Sequence, residues 1–122
     1  MSVKLEILIY RYIQASLMRR IRKYNELLSK DVAKAVGISI PRMSQIESGY
    51  WGMEEFGLRQ AFLDHYGIKV EAFVKVTDNI YKQIIDGVLA ERCSNRYLNT
   101  RDYVFSKVDK IDVIKLINNV GS

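Results

Sequence analysis

The stretch Ser29–Gly49 reads SKDVAKAVGISIPRMSQIESG and carries two short helical patterns on either side of Gly37. Ser29 has the chemistry of an N-cap, because its hydroxyl can accept from an otherwise unsatisfied amide of the first turn. Val32, Ala33 and Val36 then fall on one face of a helix. Gly37 ends that helix as a left-handed C-cap, a conformation glycine adopts without a Cβ penalty. Ile38 is the apolar residue of the turn. Ser39 is the expected N-cap of the second helix, and Pro41 sits in its first turn, where the missing N–H costs nothing. Met43 and Ile46 face inward, and Ser48-Gly49 closes the helix. Ala33 is small where the two helices would cross. Arg42, Ser44 and Gln45 are left pointing outward or to the flanks, behind an apolar start at Ile40-Pro41.

Upstream, Ile7, Tyr10, Ile13, Leu17, Ile21 and Tyr24 recur at spacings of three and four and predict a helix over Val3–Tyr24. Ile9, Tyr12 and Met18 widen its face, so the helix can pack on two sides. LEILIY at its start is also compatible with an extended segment. Arg19, Arg20, Arg22 and Lys23 gather near its end, where cations suit the helix dipole. Downstream, Tyr50-Trp51-Gly52 reads as a loop, and a helix is expected from about Met53 to Tyr66, stopped by Gly67. Phe56, Leu58, Ala61, Phe62 and Tyr66 are its apolar contributors. IKVEAFVKV makes either a short fifth helix or a partly extended link. Thr77 or Asp78 then caps a helix carrying Ile80, Tyr81, Ile84, Ile85, Val88 and Leu89. SNRYLN reads as a loop. Thr100 is the expected cap of a short helix through Val108. Ile111, Ile114, Ile117 and Val120 stripe a final helix. No repeat of fixed period is present. The class is all-α, divided as 1–76 and a helical extension over 77–122.

The composition fits a globular chain: 122 residues, 48% hydrophobic and 27% charged, with one proline and seven glycines. No apolar run reaches the roughly 18 residues that span a bilayer. The start, MSVKLEILIYRYIQ, lacks a small-residue cleavage site and is not read as a signal peptide. Cys93 is the only cysteine, which excludes an internal disulfide, fits a reducing cytoplasm and reads as a half-buried helix residue. The net charge of +5 is unevenly placed. Residues 1–49 hold nine Lys/Arg against four Asp/Glu, whereas residues 50–122 hold ten of each. A basic surface of that kind attracts polyanions, or serves solubility alone.

The pattern VAxxVGISxxxMSxIExG over Val32–Gly49 resembles that of the Cro/repressor (XRE-like) helix-turn-helix family. Phe62, Tyr66-Gly67-Ile68 and Phe73 continue the likeness into the family's fourth and fifth helices, so the resemblance covers about residues 14–75. It implies a five-helix DNA-binding domain whose second short helix enters the major groove. On that reading the base-reading positions are Ser39, Ile40, Pro41, Arg42, Ser44 and Gln45. Arg42 can donate a bidentate pair to guanine and Gln45 can pair with adenine, while Ile40 and Pro41 can touch a thymine methyl. Alternatively, Ile40 covers the edge of the domain and Pro41 only starts the helix. The phosphate contacts implied are Arg19, Arg22, Lys23, Ser29, Lys30, Lys34, Ser48 and Tyr50, with Arg20 and Trp51 as further candidates. Arg19 to Lys23 encircle their helix, so not all can face DNA. Glu47 matches a family glutamate that is usually paired internally, with Arg22 as its candidate partner. Two positions depart from the pattern. Ser29-Lys30 stands where the family often has a phosphate-binding glutamine, and NELL stands where a glycine usually sits.

Modules of this size usually bind inverted half-sites as dimers. The tail from Thr77 either extends the core and builds a homodimer interface, docks another protein as antitoxins do, or caps the domain without a partner. An enzyme fits poorly. His65 is the single histidine and reads as a surface residue, and no catalytic triad, metal-ligand cluster or phosphate-binding glycine loop is visible. No cofactor and no metal are called for. The expected function is a sequence-specific DNA-binding regulator of the phage or mobile-element repressor kind, acting on double-stranded DNA in the cytoplasm. The alternative is a protein-interaction or antitoxin module whose C-terminal segment binds a partner.

Overall fold

A computed structural model describes residues 3–50, 52, 56–93 and 99–121, the side chains of Val3, Phe56, Arg92 and Cys93 excepted. The described residues form seven helices and no strand: α1 (Val3–Tyr24), α2 (Ser29–Val36), α3 (Ile40–Glu47), α4 (Phe56–Tyr66), α5 (Val70–Cys93), α6 (Thr100–Val108) and α7 (Val113–Gly121). Trp51, Met53 and residues 94–98 of the expected SNRYLN loop lie outside them, as do the side chains of Phe56 and Cys93.

α1 is the axis of the molecule and packs against α3, α4, α5, α6 and α7. Its sequence explains why. Ile9, Ile13, Leu17, Met18 and Ile21 are all buried to within 1% of complete. Each such burial contributes about 1.5–3 kcal/mol relative to exposure. Helix extends to Val3, so the LEILIY segment is not extended. Ile7 and Tyr24, read as part of the inward stripe, are exposed at its two ends.

α5 crosses α1 in the opposite direction. Tyr10 stacks on Tyr81 with ring centroids 4.6 Å apart, while at the other end Ile21 and Ala72 line a cavity of about 360 Å³ together with Ile114 and Ile117 of α7. This helix corrects the reading of residues 68–78. There is no link or cap at Thr77 or Asp78; the helix runs unbroken from Val70 to Cys93. The Thr77 hydroxyl is 1% exposed and donates to the Phe73 carbonyl at 2.8 Å, the back-bond that lets threonine sit inside a helix. Asp78 accepts from the Tyr10 hydroxyl at 2.9 Å. The 76/77 division therefore falls inside a helix. It also falls inside one hydrophobic cluster, which runs from Ile9 through Phe62 and Phe73 to Val104, Val108, Val113 and Ile117.

α6 lies against both α1 and α5. Its N-cap is Asn99, whose side chain accepts from the Asp102 amide at 3.2 Å, and Thr100 is its first helical residue instead of its cap. Arg20 donates to the Val108 carbonyl at 3.0 Å and so satisfies the far end of α6. α7 begins after Ile111, with Asp112 accepting from the Lys115 amide at 3.1 Å.

Candidate functional site

The α2–α3 pair is built from the expected parts, with one shift. Gly37 takes φ 82°, and the amides of Gly37 and Ile38 both reach the Ala33 carbonyl at 2.9 Å. Ser39 caps α3, its hydroxyl accepting from the Arg42 amide at 3.2 Å. At α2 the N-cap is Leu28, with no side-chain capping bond, and Ser29 is the first helical residue. The reason lies in the preceding turn. The Leu27 amide reaches the Arg22 carbonyl at 3.1 Å, and Arg22 Nη1 returns a bond to the Leu27 carbonyl at 2.8 Å. The helix is thereby started one residue early. Glu26, in the NELL segment, supplies a left-handed conformation at φ 57°. The turn that a glycine would make is present without one.

α3 has two unlike faces. Met43, Ile46 and Glu47 are buried, while Ser39, Ile40, Pro41, Ser44 and Gln45 are exposed and Arg42 is half-buried. Ile40 stands 58% exposed, so it covers no edge of the core. The inner face is locked by charge as well as by packing. Arg22 grips Glu47 with two parallel bonds, Nε to Oε2 at 2.7 Å and Nη2 to Oε1 at 2.9 Å. The two side chains are only 13% and 9% exposed. The bond to Glu47 raises the basicity of Arg22 above its ordinary value against an opposing effect of burial. Tyr66 stands near this pair. Burial first, and the Glu47 charge second, push its hydroxyl well above the usual tyrosine range, and that hydroxyl has no hydrogen-bond partner among the described residues.

The expected phosphate contacts divide into groups. Lys30 and Lys34 are exposed on α2 and Ser29 is half-buried at its start. Arg22 is withdrawn from the surface by Glu47, so of its two expected roles the structure shows the internal one. Arg20 is likewise engaged, by Val108. Arg19 and Lys23 are exposed but line a cleft of about 150 Å³ with Phe105 and Asp109, which groups them with α6 instead of with Lys30 and Lys34. Ser48 is half-buried and Tyr50 is 71% exposed. His65 is exposed, as read.

One residue of this surface has no counterpart in the sequence reading. Arg101, at the start of α6, donates from Nε to the Ser48 carbonyl. Its guanidinium lies 5.0 Å from the centroid of the Tyr50 ring and 4.7 Å from that of Phe105. Nη1 also meets Asp102 Oδ1 at 2.6 Å. Nothing in TRDYVF distinguishes this arginine from any surface residue in a first helical turn. Its importance comes from contacts 53 residues away in sequence.

Among the described residues no group of three or more His, Cys, Asp or Glu side chains is placed to hold a metal ion, and no helix is long and apolar enough to cross a membrane. No protein-family model, curated protein or solved structure matches the chain.

Proposed function

We propose that this chain is a sequence-specific double-stranded DNA-binding regulator that reads the major groove with α3, in the manner of the repressor-like helix-turn-helix proteins its sequence resembles. The observation that carries the reading is the division of α3. Met43, Ile46 and the Arg22–Glu47 pair fix its inner face, while Ser39, Ile40, Pro41, Ser44 and Gln45 are held toward solvent with no core to serve. A helix that is rigid on one face and unoccupied on the other suits groove entry. Arg42 and Gln45 supply hydrogen bonds to bases and Ile40 an apolar contact to a thymine methyl. Lys30 and Lys34 supply phosphate contacts, which position without specifying.

The regulator acts as a homodimer on an inverted repeat, the arrangement by which a small module gains enough contact surface. Among its described residues the tail offers such a dimer half-buried apolar side chains, with Ile111, Ile114, Leu116 and Val120 toward its end, between mostly exposed polar ones. Sequence selection from a random duplex pool, at near-physiological salt and with the purified chain, tests the reading. Enrichment of an inverted repeat with affinity falling steeply in salt is the expected result. No enrichment from a folded, helical protein overturns it.

A second reading, a protein-interaction module, is favoured by one feature: Leu28, Ile40 and Tyr50 are each more than half exposed around α2 and α3. Such a partner would engage the α2–α3 surface. The C-terminal segment suits the antitoxin version less well, because its described residues from 99 to 120 expose only polar side chains.

A further inference from the structure

We propose that Arg101, carried by α6 outside the α2–α3 pair, is an additional DNA-phosphate contact at the end of the groove-reading helix, with Tyr50 as its platform. The inference rests on the DNA-binding reading above and adds to it a residue and an element that the resemblance does not include.

The geometry starts from α3 itself. Pro41, Ser44 and Ser48 are spaced at three and then four residues, so they share the face that also carries Gln45. Pro41, Ser44 and Gln45 are exposed on that face. At 1.5 Å per residue, Ser48 stands about 6 Å beyond Ser44 along the axis. A helix that places its N-terminal half in the major groove brings its other end out toward a phosphate strand. That end is where Arg101 arrives, bonded through Nε to the Ser48 carbonyl.

The guanidinium is also pre-organised. It lies over both the Tyr50 and Phe105 rings, with centroids at 5.0 and 4.7 Å. Stacking of this kind holds a planar fork in one orientation, and arginine in a fixed fork recognises phosphate well. Its bonds to Ser48 and Asp102 use two of five N–H donors, which leaves capacity for a phosphate oxygen. The side chain is 22% exposed, enough for an oxygen to reach it, and Tyr50 beside it is 71% exposed. The charge balance of the chain conceals this, since residues 50–122 are neutral in sum.

Asp102 is the internal competitor. Its carboxylate sits 2.6 Å from Arg101 Nη1 and is 62% exposed. It partly neutralises the arginine and would repel an approaching phosphate. Removing its charge should therefore strengthen DNA binding, by relieved repulsion as well as by freeing the arginine, so the salt slope of the Arg101 variants is what separates a phosphate contact from a brace.

The test measures affinity for the selected duplex as a function of salt for wild type, Arg101→Met, Arg101→Lys and Asp102→Asn, with helical content checked for each. Arg101→Met is expected to weaken binding several-fold and to reduce the log-log salt slope by about 0.9, the value of one phosphate contact. Arg101→Lys should restore the slope, and Asp102→Asn should tighten binding several-fold. Wild-type slope in Arg101→Met overturns the inference, including where that variant binds less well, since that pattern belongs to a brace. If Arg101→Met does not fold, Arg101→Gln takes its place and its salt slope decides, a wild-type slope overturning the inference. If wild type itself shows no salt-dependent duplex binding, the functional reading has failed and the inference falls with it.

Discussion

Glu47→Ala tests the lock behind α3. The substitution removes both carboxylate contacts to Arg22 and leaves a guanidinium whose side chain is 13% exposed with one remaining bond, to the Leu27 carbonyl at 2.8 Å. Removing one partner of a buried ion pair costs about 3–5 kcal/mol, because the other charge stays desolvated and uncompensated. The residual exposure of both partners and the surviving Leu27 bond place this site at the lower end, about 3 kcal/mol. That is a large part of the roughly 5–15 kcal/mol that holds a domain together. For a chain of this size it corresponds to a fall in Tm of roughly 10–15 °C. Arg22→Met should cost a similar amount by stranding the carboxylate. The double variant should be no worse than either single one, because neither charge is then left buried alone. The coupling in a double-mutant cycle is then about 3 kcal/mol. Urea unfolding followed by helical circular dichroism measures all four corners. Single costs below about 1 kcal/mol, typical of surface pairs, or strictly additive costs would refute the claim that this pair fixes the helix.

Gly37→Ala should destabilise by about 1–2 kcal/mol, the cost of a left-handed backbone alone, since open space surrounds its Cβ position. Gly49→Ala should cost more, because its φ is 80° and its Cβ would stand 2.9 Å from Tyr12 Cδ1; equal urea midpoints would contradict this. Tyr66→Phe removes a buried hydroxyl that has no partner, so the variant should be as stable as wild type or more stable by about 1 kcal/mol. A clear loss in urea unfolding would show a bond the structure lacks. Tyr10 is pushed up to about 12, by burial first and then by its hydrogen bond to Asp78. The folded chain therefore keeps a proton that the unfolded chain loses above pH 10, and stability should fall as pH rises from about 10 to about 12. Tyr10→Phe should flatten that part of an alkaline unfolding curve. Cutting the chain after residue 76 should abolish cooperative unfolding, because Ile80, Ile84, Val104, Val108, Val113 and Ile117 all leave the core.

The α2–α3 turn was legible because each of its residues answers a local demand. Gly37 is needed for a positive φ, Ser39 for a cap, and Met43 and Ile46 for a face. These are decided within a few residues of chain, and the structure meets them. The Ser29 cap and the Thr100 cap failed by one residue each, for a reason that is also local but less visible. Leu28 and Asn99 take the extended conformation of a cap, and the sequence shows two eligible residues at Asn99-Thr100 and a turn around Leu27 that only the Arg22 bond reveals.

The boundary at residue 76/77 shows where local reasoning stops. Thr77 and Asp78 are good cap residues, and a cap was the natural reading of them. Each finds a better partner within the fold. The Thr77 hydroxyl turns back onto Phe73 and Asp78 reaches across to Tyr10 of α1, so nothing remains to interrupt the helix. The same long-range pairing hid Arg101, whose partners Ser48 and Tyr50 lie some fifty residues away. The two misses have one consequence. α6 packs back onto α1 and α5, and its Arg101 reaches the residue that closes α3. A tail expected to extend the core and build a dimer interface thus stands beside the face proposed to read DNA. The Ser48 carbonyl, bonded to Arg101, is the link between α6 and that face.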